Sequence, residues 1–170
     1  MLYAFTLGMA PWAKESTRRH MLSYLRGVAF HVGIFAGLAA LAVSPWWSML
    51  PTFIRWLLAT VTGLGAIFGV IGEISRWVER NLRAMSTPDD HLSVVIVSLF
   101  LAMTCAALLS PAWMTAMYLV AAIMLIYVPL GKIRHCIYFF FSRRFFGLLV
   151  GRRGVVHHAS TAAASAVREG

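Results

Sequence analysis

Charged residues are scarce in this chain of 170 amino acids. Asp, Glu, Lys and Arg make up only 12% of it, about half the share that a soluble domain usually carries. Hydrophobic residues account for 60%, which is more apolar surface than one soluble core of this size could bury. The composition therefore excludes an ordinary soluble domain, and so hydrophobic a chain is not disordered either. It predicts an all-α integral membrane protein.

Acidic residues and cysteines are scarcer still. Six Asp and Glu stand against 15 Lys and Arg, for a net charge of +9, and basic loops on one side of a membrane explain this excess better than a nucleic acid partner does. The two cysteines, Cys105 and Cys136, are too few for a disulfide framework. Cys136 follows His135 outside any C-x-x-C-H sequence, which excludes covalent c-type haem. The sequence also contains no nucleotide-binding loop, zinc-protease helix or serine nucleophile elbow.

Long gaps between charged residues predict four membrane-spanning helices, each of which needs about 20 mostly apolar residues. One gap separates Arg26 from Arg55, and a second separates Arg55 from Glu73. A third gap, residues 91–131, is long enough for two helices, and Ser110-Pro111 divides it. The predicted four-helix bundle consists of helices at about residues 21–44, 52–78, 89–109 and 112–135.

The basic residues lie almost entirely on one side of this four-helix arrangement. Of the 15 Lys and Arg, only Arg55 falls on the other side. The positive-inside rule then places both termini in the cytoplasm. We expect residues 1–20 to form a membrane-associated arm and residues 21–141 to form the transmembrane bundle. Residues 142–170 are predicted to be a basic interfacial segment followed by a disordered tail.

Two histidines predict a haem site. His31 lies inside the first predicted helix, where an ionisable side chain is costly and is a candidate for function, although a neutral histidine bonded to a neighbouring carbonyl would also fit there. His135 lies at the end of the fourth predicted helix. Two neutral imidazoles from different helices are what a b-type haem requires, and this flat apolar group fits between membrane helices. The pairing requires the fourth helix to continue past Pro129, which should kink it.

Cationic and small residues accompany these histidines. Arg26, Lys132 and Arg134 are placed to bind the haem propionates at the membrane surface. Gly33 and Gly37 have the four-residue spacing that lets helices approach closely; they serve helix packing alone or lie against the edge of the haem. The pattern therefore predicts one b haem with the two histidines as its axial ligands.

A strong helix start precedes His91. Thr87 suits the N-cap, Pro88 the first helical position, and Asp89 and Asp90 the first turn. We therefore expect the two carboxylates to cap the third predicted helix. His91 itself is a candidate for proton uptake or for contact with a quinone head group.

Glu73 lies near the same end of the second predicted helix. Its expected partners are Arg76 and Arg80 on the same stretch of chain, which predicts a structural role for this carboxylate.

Three segments in the same order resemble the membrane cytochrome b that forms the gamma subunit of respiratory nitrate reductases. They are Phe30-His31-Val-Gly33-Ile, Arg83-Ala-Met-Ser-Thr-Pro-Asp-Asp-His-Leu and Pro129-Leu-Gly-Lys-Ile-Arg-His135. The resemblance covers roughly residues 25–150. That family holds two stacked haems with four histidines. Leu41 and Met117 stand where the ligands of the outer haem would be, so the resemblance implies a shortened variant that keeps one haem, held by His31 and His135.

The resemblance also implies a function in electron transport. Shortened relatives belong to membrane complexes of the heterodisulfide-reductase-like and sulfur-metabolism type. This implies electron exchange between the quinone pool and an iron–sulfur or other redox subunit, located on the cytoplasmic side or in the membrane. It further implies one subunit of a larger respiratory oxidoreductase, in the cytoplasmic membrane of a bacterium or archaeon.

Two other functions stay open at this point. The chain could be a non-haem membrane anchor or assembly subunit of a multi-subunit complex, with His31 as an ordinary core histidine. The third hypothesis is a small transporter or channel, which the lack of an intramembrane carboxylate and of an internal repeat weakens.

Overall fold

The computed structural model describes residues 21–152, without the side chains of residues 137 and 150–152, and this part of the chain consists of helices joined by short turns. The α-helices of this part are α1 (Met21–Val43), α2 (Thr52–Val78), α3 (Arg80–Met85), α4 (Pro88–Leu109), α5 (Met114–Tyr127) and α6 (His135–Arg152). Shorter 3-10 helices occupy Ser44–Met49, Pro111–Trp113 and Lys132–Arg134. The predicted N-terminal arm and the tail beyond residue 152 lie outside the described residues.

Three helices, α1, α2 and α4, are long and apolar enough to cross a membrane. This confirms the predicted all-α membrane protein and gives residues 21–152 three candidate spans. A fourth is reached only if α5 and α6 count together as one broken span. The bounds of α1, α2 and α4 agree with the predicted helices within one residue.

The fourth predicted helix is shorter than expected. The sequence predicted a kinked helix up to residue 135, but α5 ends at Tyr127 after 14 residues. A turn follows, in which the amide of Leu130 donates to the carbonyl of Tyr127 at 3.0 Å. Pro129 lacks an amide hydrogen and its ring clashes with the preceding turn, so it ends the helix instead of kinking it. The next α-helix, α6, is one continuous helix of 18 residues, which runs from the predicted bundle into the predicted basic interfacial segment.

The described chain divides at His135 into two compact units, which we describe separately. The first unit ends at Arg134 and contains α1 to α5. The second contains α6. The predicted end of the bundle at residue 141 falls inside α6, and that boundary stays a prediction.

Close contact between helix backbones brings α1, α2 and α4 together. A Cβ atom on Gly33 of α1 would lie 2.7 Å from the Cα atom of Gly65 in α2. A Cβ atom on Gly37 would lie 2.8 Å from the side chain of Leu101 in α4. Phe100 and Leu101 are fully buried at this crossing. Larger side chains at the two α1 positions would push the helices apart, so the glycines allow the three helices to pack.

Both ends of α4 are capped. The amide and the hydroxyl of Thr87 each donate to one carboxylate oxygen of Asp90 at 2.9 Å, and Pro88 begins the helix, which confirms the predicted helix start. At the other end, Nη2 of Arg55 donates to the carbonyl of Leu108 at 2.9 Å. The one basic residue predicted on that side of the membrane thus satisfies a carbonyl at the helix end.

Candidate functional site

His31 lies near the middle of α1, on a face turned away from α2 and α4. Met21 is ten residues before it and Val43 is 12 residues after it, which corresponds to about 15 and 18 Å along the helix axis. The His31 side chain is exposed. Val28 and Phe35, one turn to either side on the same face, are 41% and 68% exposed. The imidazole therefore lies well inside a helix that is long and apolar enough to cross a membrane, among apolar side chains that face out of the unit.

A hydrogen bond inside α1 determines which nitrogen of His31 carries the proton. Nδ1 lies 2.7 Å from the carbonyl oxygen of Gly27, and because a carbonyl only accepts, Nδ1 is the donor. The lone pair of the neutral ring is then on Nε2. No residue of the described part hydrogen-bonds to Nε2. This bond is the one expected of the alternative, a neutral histidine bonded to a neighbouring carbonyl. Metal-ligating histidines also usually have one ring N–H on a backbone carbonyl, with the other nitrogen on the metal.

The two glycines near His31 pack against neighbouring helices. Gly33 is buried against Gly65 and Gly37 is buried against Leu101. Both glycines therefore face the neighbouring helices, on the opposite side of α1 from the imidazole.

Two of the three cations predicted to bind propionates contact other side chains. Nη1 of Arg26 donates to the hydroxyl of Ser75 at 2.7 Å, a neutral partner that leaves the guanidinium charge available. Lys132 forms an ion pair with the buried carboxylate of Asp90. Arg134 is exposed in the 3-10 helix that precedes α6.

His135 is the first residue of α6, and its side chain is exposed. The structure thus describes His31 and His135 in different units. The pairing was based on a fourth helix that continues past Pro129, and α5 ends at Tyr127 instead. The two histidines as axial ligands of one haem therefore stay a prediction from the sequence alone.

The positions of the missing outer ligands are filled by packed apolar side chains. Met117 of α5 is fully buried in a cluster with Ala40 and Leu108, and Leu41 packs against the same cluster. This end of the unit is a hydrophobic core.

A second group of polar side chains lies where α2 ends and α4 begins. We call this the basic end, because Arg76 and Arg80 are there. Nδ1 of His91 is 2.5 Å from Oε1 of Glu73, and the indole N–H of Trp77 donates to the same oxygen at 2.8 Å. The sequence had predicted Arg76 or Arg80 as the partner of Glu73. Its pairing with His91 joins two helices across 18 positions, so only their packing reveals it.

The carboxylates of Asp89 and Asp90, at the start of α4, contact side chains at the end of α5 and just after it. The hydroxyl of Tyr127 donates to the side chain of Asp89, which lies in the first turn of α4 as predicted. Lys132, just after α5, pairs with Asp90, and Arg76 approaches the same carboxylate at 3.9 Å. The sequence offered no signal for Tyr127, an aromatic residue in an apolar helix 38 positions from its partner.

Comparisons with known proteins give no match. No protein-family model matches the chain, no curated protein is similar to it, and no solved structure matches it. The resemblance to the nitrate reductase gamma subunit therefore stays a prediction. Within residues 21–152, no three His, Cys, Asp or Glu side chains come together as a metal site.

Proposed function

We propose that this protein is the membrane subunit of an oxidoreductase complex and carries electrons through one b-type haem. The observation that supports the proposal is the imidazole of His31. Its Nδ1 is bonded within α1, and its exposed side chain lies on an apolar helix face. An acceptor nitrogen left without a partner in lipid costs on the order of a few kcal/mol, so a bound ligand explains the arrangement better than contact with lipid does.

The residues present fit a haem at this face. The His31 Nε2 lone pair is the donor that haem iron takes from histidine, and Val28, Phe35 and Leu38 are exposed apolar side chains of the same face. When bound, the haem supplies one-electron redox chemistry, and the protein tunes its potential through the axial ligands and nearby charge. The second axial ligand in this proposal is His135, which is assigned from the sequence alone.

Arg26, Arg134 and Lys132 are the cations proposed for the haem propionates. The guanidinium of Arg26 has a neutral partner, the hydroxyl of Ser75, and Arg134 is exposed. Lys132 could take this role only by exchanging the carboxylate of Asp90 for a propionate.

The proposal places the subunit between a quinone and a redox partner. Electrons pass between the quinone pool and an iron–sulfur or other redox subunit, and His91 is the candidate contact for a quinone head group. The four-span arrangement with both termini in the cytoplasm belongs to the proposal, as does the cytoplasmic membrane of a bacterium or archaeon. The excess of basic residues at one side supports this orientation.

The test is the absorption spectrum of the purified full chain, expressed with an adequate haem supply. We expect about one haem per chain, reducible and low-spin, with two histidine ligands. His31→Ala and His135→Ala should each abolish this spectrum. His158→Ala, which removes a histidine outside the proposal, is the control and should keep it.

Each failure has a distinct meaning. A colourless wild-type protein overturns the haem proposal altogether. If His31→Ala removes the spectrum and His135→Ala does not, His31 stands as a ligand and the second ligand is another residue. Two haems per chain would show further ligands, and His20 and His91 would be the first to substitute.

The alternative function, a non-haem membrane anchor or assembly subunit, is supported by a separate observation. Helix packing accounts fully for Gly33 and Gly37, and a carboxylate already pairs with Lys132. These residues therefore need no haem to explain them. The anchor hypothesis predicts a colourless protein whose partner subunits still assemble with the His31→Ala variant.

A further inference from the structure

The carboxylate–imidazole pair at the basic end is the strongest unexplained feature of the first unit. Glu73 and His91 come from different helices, and their side chains are only 15% and 21% exposed. The indole of Trp77 covers the imidazole, with ring centroids 4.9 Å apart and planes tilted by 36°. The same indole donates to the Glu73 oxygen that His91 contacts. The three side chains therefore form one compact group.

The other charged groups of this end either have partners other than Glu73 and His91 or are exposed. Asp90 holds Lys132 and, at 3.9 Å, Arg76. Asp89 accepts the hydroxyl of Tyr127. Arg26 of α1 is bonded to Ser75, and Arg76 also donates to Ser86 at 3.4 Å. The remaining charged residues of the α2–α3 corner are exposed, namely Glu79, Arg80 and Arg83. Among the described residues, His91 is thus the one group able to carry positive charge against Glu73.

The Glu73–His91 pair has hydrogen-bonding positions that no other residue of the described part fills. One proton lies between Nδ1 and Oε1 in every state that keeps the 2.5 Å contact. Nε2 of His91 has no hydrogen-bond partner in the described part of the chain. The second carboxylate oxygen, Oε2 of Glu73, is buried there without a partner as well. The pair therefore has an open position for one further proton, on Nε2 of His91.

We propose that Glu73 and His91 form a proton-exchange site at the basic end of the helical unit. His91 binds and releases the proton on Nε2, and Glu73 is the positioning residue that fixes the tautomer and orientation of the ring, as carboxylates do behind catalytic imidazoles. The proposal goes beyond the electron-transfer function and does not need the haem, so either can fail alone. Its use in that function rests on the redox proposal, since reactions of quinones take up or release protons.

The fluorescence of Trp77 can report the proton directly. An imidazolium quenches an indole that it touches, whereas a neutral imidazole does so much less. The full chain in detergent is titrated from about pH 5 to pH 9, and the signal of Trp77 is taken as the difference from Trp77→Phe. Trp56→Phe is the matched control, because Trp56 lies on the same helix and both indoles are 60% exposed.

We expect the Trp77 signal to follow a one-proton transition that His91→Gln abolishes and Trp56→Phe leaves in place. Glu73→Gln should change the pH profile of this signal, because the ring loses the carboxylate that fixes its tautomer and orientation. A Trp77 signal that is constant across the range overturns the proposal, and so does a transition that survives His91→Gln. If the variants do not fold, ¹⁵N-histidine spectra of the wild-type chain decide: the imidazole shifted by the indole ring must titrate.

Discussion

The packing of α1 against α2 gives the sharpest prediction of stability. Gly33→Ala puts a methyl group 2.7 Å from the Cα atom of Gly65, whereas non-bonded carbon atoms prefer about 3.5–4.0 Å. The two helices must therefore separate by about 1 Å, which forfeits up to about half of the dispersion energy of each affected atom pair. Overpacking of this kind costs about 1–3 kcal/mol, and backbone atoms cannot rotate away as a side chain could.

A matched control lies on the same helix. A Cβ atom on Gly27 would meet nothing within 4 Å, so Gly27→Ala should raise the free energy of unfolding by about 0.5–1 kcal/mol through helix propensity. It also keeps the carbonyl that His31 contacts. Unfolding of each variant by SDS in mixed micelles, followed by circular dichroism, gives the difference. If Gly33→Ala is as stable as Gly27→Ala, the close approach of α1 and α2 is wrong.

Two further substitutions test polar groups in the α2–α4 interface by the same unfolding titration. Arg55→Gln should lower the free energy of unfolding by about 1.5–3 kcal/mol, because the charged hydrogen bond to the Leu108 carbonyl is lost. Arg55→Lys should recover part of this free energy. Equal stability of the wild type and both variants would show that the cap does not contribute. Ser98→Ala should leave the stability unchanged or raise it by about 1 kcal/mol, because this hydroxyl is buried without a hydrogen-bond partner among the described residues. A loss of stability there would reveal a partner that the described chain does not contain.

The positions of the charged residues in the sequence predicted where the long helices lie. Arg26, Arg55 and Glu73 delimit two apolar stretches, and the start of α4 follows from its capping residues. These signals are local, because the free-energy cost of burying a charge or of leaving a helix end uncapped depends on residues within about one turn of the helix. For this reason the bounds of α1, α2 and α4 were predictable within one residue.

Contacts between helices were not predictable in the same way. Glu73 has arginines near it in sequence, but the packing of α2 on α4 gives it His91 instead. Pro129 could either kink a helix or end it, and the outcome depends on where Tyr127 and Lys132 find partners on α4. Each of these choices is decided by residues far apart in the chain, for which one sequence holds no signal.

The direction in which the His31 side chain points was predictable from the sequence but was not predicted. The spacing of His31 from Gly33 and Gly37 contains this information, but the glycines were interpreted only as candidates for helix packing or haem contact. Successive residues of a helix turn by about 100°, so Gly33, two positions on, points about 160° away from His31. If the glycines pack α1 against its neighbours, His31 must point outward. A haem held by His31 would then lie outside the group formed by α1, α2 and α4, whereas the sequence had predicted it between membrane helices. Such a haem needs its second ligand from an element beyond these three helices. The test of His135 is therefore the decisive one for the architecture of the site, and the test of His31 alone is not.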